Sequence, residues 1–181
     1  MDKRQNKDIN IAIVGLDYDF VLEVSKILAS QLGLYFLDTI GLYEFDISPN
    51  TLEEVLINYG EPYFREKQKS TVKYVSSFNN TVMSFESGVV LDPENLDCID
   101  KYGLIVYIHQ DEKSLVNEFI RCEYKSQTLD KFFHISKQDI AKRDAILQQR
   151  SEIIVDATNY ETIRCAGDII KGIKKYYGVN F

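Results

Sequence analysis

The chain has 181 residues, 45% of them hydrophobic and 27% charged, which suits one domain with one buried core and leaves nothing over for a second. Its 28 acidic and 21 basic residues give a formal charge of −7, which opposes nucleic acid or an anionic membrane as partner because both would repel the average surface. Three widely spaced cysteines, Cys98, Cys122 and Cys165, exclude a disulfide framework and a paired-cysteine metal knuckle, and suit reduced thiols.

The segment Met1 to Asn10 is polar, and no run approaches the ~20 apolar residues of a membrane span, so a cytoplasmic protein is expected. Ile11 to Val14, ending at Gly15, reads as a buried parallel strand. Val21, Val24, Leu28 and Leu32 recur at helical spacing, and Gly33 stands where a C-terminal cap belongs. Leu34 to Leu37 reads as the second strand, and Gly41 to Asn80 as a mainly helical subdomain. Three more strands are predicted at Thr81 to Phe85, Leu104 to Ile108 and Glu152 to Val155, separated by helical patterns such as Glu112 to Arg121 and Glu161 to Lys175. Cys122 to Ser136 reads as a lid-like loop. Strands alternating with helices predict an α/β fold of three αβα layers around a five-stranded parallel sheet. Ligands in such sheets sit beyond the carboxyl ends of the strands, here Gly15, Asp38, Glu86 to Gly88 and His109.

Four blocks of the chain resemble shikimate kinase, a P-loop enzyme of the nucleoside monophosphate kinase type. They are Ile11 to Asp38, Gly60-Glu-Pro-Tyr-Phe-Arg65, Thr81 to Glu94, and Arg143-Asp-Ala-Ile-Leu147 followed by Ile153 to Asp156. The resemblance covers roughly residues 11 to 158 in the family's order, and it implies the P-loop kinase architecture, with 41–80 as the substrate side and 122–136 as the lid.

The residues that handle phosphate depart from that pattern. A Walker A loop needs glycines that let backbone N–H groups face phosphate oxygens, a lysine for the β and γ phosphates, and a hydroxyl for magnesium. Here the stretch reads Gly15-Leu-Asp-Tyr-Asp-Phe-Val-Leu22, with Phe20 for the second glycine, Val21 for the lysine and Leu22 for the hydroxyl. Asp17 and Asp19 add negative charge where triphosphate would lie. At ~6 Å and an effective dielectric near 20, each like pair costs about 3 kcal/mol. Either aspartate could instead cap the following helix, so that a carboxylate replaces phosphate as the anion at its N-terminus.

The substrate side is mixed. By resemblance, Asp38 matches the family's magnesium-associated aspartate, while the aspartate that bonds substrate hydroxyls has become Ile40. The two substrate-side arginines match Arg65 and Arg143. Their planar forks suit a carboxylate, although Arg65 could equally pair with Glu61 and Arg143 could be a solvated helix charge. The family's triple-glycine turn is Glu86-Ser87-Gly88, and Glu86 is expected to enter the pocket and pair with an arginine. The lid arginine would fall near Ser126 to Leu129, where none stands, although Arg121 and Lys125 are close.

Elsewhere the signals are weaker. His109 and His134 are the only histidines, too few for a histidine-rich metal site, and no GxSxG elbow is present. Tyr59, Tyr63, Phe132, Phe133, Tyr176 and Tyr177 are candidates for either core or interface. The expected function is that of a family member without ATP binding or phosphotransfer, acting as a regulatory or partner-binding protein. Neither cofactor nor metal is expected. The alternatives are an atypical small-molecule kinase using ATP and magnesium, the latter on Asp38, and a sensor of small carboxylates.

Overall fold

The computed structural model describes residues 9–111, 115 and 137–178. Its elements run β1 (Asn10–Gly15), α1 (Tyr18–Leu32), β2 (Tyr35–Asp38), α2 (Thr39–Ile47), α3 (Leu52–Val75), β3 (Thr81–Glu86), a 3₁₀ turn (Ser87–Leu91), α4 (Pro93–Tyr102), β4 (Leu104–His109), α5 (Lys137–Arg150), β5 (Ile153–Asp156) and α6 (Thr162–Tyr177). The strands pair in the order β2-β3-β1-β4-β5, every pair parallel. All five predicted strands are present within a residue or two of their expected ends. The predicted helix at 112–121, apart from Leu115, and the lid-like stretch 122–136 lie outside the described residues, as do Cys122, Phe132, Phe133 and His134.

Alternation along the strands divides the core in two. Ile11 and Ile13 of β1 join Val106 and Ile108 of β4 under α1 and α6, where Val21, Val24, Leu28, Cys165, Ile169 and Ile173 are buried. Ala12, Val14, Met83, Phe85, Ile105 and Tyr107 face the other way, against Val72 and Val75 of α3, Ile99 of α4 and Leu147 of α5. Strands covered on both faces lose the hydrophobic-polar alternation of a half-exposed sheet, which explains their continuous apolar sequence. Gly33 closes α1 in the left-handed conformation at φ 66°, as its position predicts.

The stretch after β2 forms α2 and α3, which share a small cluster of Tyr43, Ile47, Val55, Leu56 and Phe64. Thr51 and Glu54 build a capping box at the start of α3. The helix breaks at Gly60, whose φ of 76° and ψ of 173° are open only to glycine, and resumes with Pro62 in its next turn. This break aims the following turn, and with it Arg65, at the end of β3.

Candidate functional site

The junction of β1 and α1 is short. Only Leu16 and Asp17 separate the strand from the helix, so five of the eight residues that read as a phosphate loop, Tyr18 to Leu22, belong to α1. Asp17 is the N-cap: its Oδ1 accepts the Phe20 N–H at 3.0 Å, and its carbonyl accepts the Val21 N–H at 3.0 Å. Asp19 is exposed in the first turn. Val21, at the lysine position, is fully buried in the core, and Phe20 packs beside it. The N-terminus of α1 is therefore occupied by the chain's own carboxylate. Residues 15–22 offer no lysine and no serine or threonine hydroxyl and place a carboxylate at the helix start, so they do not fit a nucleotide triphosphate.

Tyr18 was not singled out by the sequence, yet it closes the neighbouring position. Its hydroxyl donates to Asp38 Oδ1 at 2.5 Å and lies 3.1 Å from Ser84 Oγ. Burial, and then the hydrogen bond to Asp38, push the Tyr18 phenol well above its ordinary range. Asp38 also caps α2, accepting the Gly41 N–H at 3.0 Å on the same oxygen. The carboxylate that would serve magnesium by resemblance is thus engaged by a phenol and a helix end. Among the described residues, no three His, Cys, Asp or Glu side chains gather to hold a metal ion.

On the substrate side, Glu86, Ser87, Gly88, Arg65 and Arg143 do come together. Arg65 Nη1 lies 3.2 Å from Glu86 Oε1, its Nε lies 3.1 Å from Glu61 Oε1, and it donates to Gln68. Arg65 therefore pairs with Glu61, as one sequence alternative has it, and with Glu86 as well. Glu86 Oε2 accepts the Gly88 N–H at 2.6 Å, capping the 3₁₀ turn, and Gln68 donates to Oε1. A Cβ on Gly88 would stand 2.6 Å from Arg65 Nη1 and 2.7 Å from Glu86 Oε2, so a side chain there would push aside the ends of both.

Arg143 corrects the reading of a solvated helix charge. It is only 6% exposed, because α5 turns it inward over the 3₁₀ turn, where Nη1 donates to Ser87 Oγ at 2.9 Å. Its Nε has no hydrogen-bond partner among the described residues. Burial lowers its pKa below the ordinary guanidinium value, with Glu86 opposing and Arg65 reinforcing that shift. Ile40, in place of the second aspartate, lines with Tyr43, Phe64 and Phe85 a cavity of only about 20 Å³. That is room for about one water, far too small for a ring-sized acid.

His109, at the end of β4, stands 3.7 Å from Asp144 and 3.7 Å from Asp156 and borders a cavity of about 190 Å³ with Leu16 and Lys137. Asp144 also accepts the Tyr107 hydroxyl at 2.7 Å. Of the aromatic candidates, Tyr176 and Tyr177 pack half-buried against the core, Tyr63 is half-buried, and Tyr59 is 61% exposed. Among the described residues no helix is long and apolar enough to cross a membrane.

The shikimate kinase family model matches residues 23–174, beginning just after the altered stretch at 15–22. Shikimate kinase from Clostridium botulinum strain Langeland is 25% identical over 175 residues, covering 94% of this chain and 99% of the relative. That from Caldicellulosiruptor saccharolyticus is 29% identical over 109 residues, 59% of this chain and 62% of its own. Among solved structures, shikimate kinase from Acinetobacter baumannii in complex with shikimate superposes with a TM-score of 0.79 at 18% identity, over 93% of this chain and 94% of that one. The Aquifex aeolicus enzyme gives 0.73 at 19%, over 92% and 97%. With the parallel five-stranded sheet in place and a family match spanning most of its length, the chain belongs to the shikimate kinase family.

Proposed function

We propose that this family member neither binds ATP productively nor transfers phosphate, and acts as a regulatory or partner-binding protein in the cytoplasm. The observation that carries the reading is the start of α1 at Tyr18 with Asp17 as its cap, whose carboxylate takes the Phe20 N–H at the place where a phosphate would sit. An anion delivered there would meet a carboxylate rather than a lysine. The Tyr18 to Asp38 bond supports the same conclusion for magnesium, and the resident Glu86 supports it for the substrate's acid group. Mg-ATP is expected to bind more weakly than ~1 mM, equivalent to only about −4 kcal/mol. Calorimetry with Mg-ATP, joined to a shikimate phosphorylation assay against a mock-purified control, tests this. Low-micromolar binding or phosphorylation above the control would instead establish an atypical ATP- and magnesium-dependent kinase.

One observation favours a second reading, a sensor of small carboxylates. Arg143 is buried with an unbonded Nε beside the Arg65 and Glu86 pair, and a buried guanidinium is stabilised by an anion that satisfies its remaining donors. A thermal-shift screen of small carboxylic acids separates this from partner binding, since a sensor would respond in the wild-type protein.

A further inference from the structure

We propose that Glu86 is a latch, and that its release by a small carboxylate resets the seating of α4 and α5. The inference rests on the carboxylate-sensor reading and gives that sensor an output. The two oxygens of this one side chain have different duties. Oε1 lies 3.2 Å from Arg65 Nη1 and accepts from Gln68, while Oε2 accepts the Gly88 N–H at 2.6 Å and caps the 3₁₀ turn Ser87–Leu91. A carboxylate is a rigid plane, so a movement that frees Arg65 also uncaps the turn.

An incoming acid enforces that movement. It would meet Arg143, which is 6% exposed, bonded through Nη1 to the neutral Ser87 hydroxyl, and without a partner at Nε among the described residues. The cavity that reaches Glu86, bordered by Tyr43, Phe64 and Gln68, holds about 20 Å³, room for about one water. Even acetate has no place there while Glu86 keeps its own, and two carboxylates side by side repel each other.

Release is felt beyond the site. Gly88 is buried, and a buried N–H without an acceptor is costly, so the turn has to rearrange. Ser87 of that turn holds Arg143 of α5, the Val89 carbonyl accepts Asn95 Nδ2 of α4 at 3.3 Å, and Val89 and Val90 share a core cluster with Leu96 of α4 and Leu147 of α5. Arg65 and Gln68 anchor the other end on α3. One side chain thus ties the state of the arginines to three helices.

The test titrates the full chain with sodium acetate against sodium chloride at equal ionic strength, reading the melting temperature and the hydrogen exchange of the Gly88 amide. Acetate is expected to raise the melting temperature and to speed Gly88 exchange at least tenfold, with the amides of β1 unchanged. In Glu86→Ala the turn is already uncapped, so acetate should bind at least fivefold more tightly and leave turn exchange as it was. Glu86→Gln, which keeps the shape and loses the charge, should show the same tightening if the alanine variant fails to fold. Arg143→Met should abolish the responses, and their persistence there would place acetate elsewhere and overturn the proposal. A wild-type melting temperature that rises with Gly88 exchange unchanged keeps the carboxylate site but overturns the latch. Binding by the Glu86 variants alone does the same, because the latch then never opens to a carboxylate. No response in the wild type or in either Glu86 variant would overturn the sensor reading and the latch together.

Discussion

At the scale of single residues, the site is held by carboxylates that the chain supplies to itself. Glu86 bonds Arg65 at 3.2 Å and the Gly88 N–H at 2.6 Å, with 22% of its side chain exposed. That places it between a surface pair, worth about 0 to 1 kcal/mol, and a buried one, whose disruption costs about 3 to 5. Glu86→Ala should therefore destabilise the protein by roughly 1 to 3 kcal/mol in a urea titration. It should also let benzoate or acetate raise the melting temperature more than in the wild type; equal responses would show that Glu86 does not occlude the arginines. Tyr18→Phe keeps the ring and removes the bond to Asp38. A hydrogen bond to a charged group is worth about 1.5 to 3 kcal/mol, and a loss in that range with unchanged m-value is expected. A neutral result would mean that the Asp38 contact contributes nothing to the fold.

At the scale of elements, the two features that shape the site are a cap and a break. Asp17→Ala leaves the Phe20 N–H of α1 without its acceptor, and about 1 kcal/mol of stability should be lost. Restoration by Asp17→Asn or Asp17→Ser, without regained nucleotide binding, would mark the role as capping. Gly60 breaks α3 at φ 76° and ψ 173°. A Cβ there would meet nothing nearer than Pro62 Cδ at 3.6 Å, so the penalty of Gly60→Ala is one of backbone conformation, about 1 to 3 kcal/mol. If that substitution were tolerated without loss, the break would not be fixed by the glycine. Arg65 follows this break by five positions, so the same variant should also weaken whatever depends on the Arg65 and Glu86 pair.

For the molecule as a whole, the core predicts how stability depends on pH. Cys165 is fully buried under α6, and burial raises its thiol from the ordinary 9.0 to about 12. The folded form therefore holds a proton that the unfolded chain releases near pH 9. The contribution is complete below that pH and is lost as the pH climbs towards 12, with a slope of about 1.4 kcal/mol per unit. Burial raises the phenols of Tyr18 and Tyr107 in the same direction from 10.0, which steepens the decline at higher pH. Unfolding free energies measured from pH 8 upward should fall accordingly, and Cys165→Ala should remove about one proton's worth of slope between 9 and 10. An unchanged slope in that variant would show that Cys165 is not the group responsible.

The sequence by itself determined the sheet, its parallel sense and the family, because those depend on signals that are local and repeated. Apolar runs such as Ile11 to Val14 and Leu104 to Ile108, the helical spacing of Val21, Val24 and Leu28, and the cap at Gly33 all act within a few residues of where they stand. The departure of Gly15 to Leu22 from the Walker A pattern and the acid at Glu86 could be noticed for a similar reason, since each stands at a known place in the motifs that carry the resemblance. Tertiary structure alone decided the rest. Tyr18 reaches Asp38 across 20 residues and Ser84 across 66, Arg143 turns inward to Ser87 across 56, and Glu86 meets Gln68 across 18. Phe45, Ile57 and Tyr59 remain in solvent while Tyr43, Val55 and Leu56 are buried. Which of several nearby polar or aromatic side chains finds a partner depends on how helices pack across the sheet, and no periodicity in the chain encodes that choice.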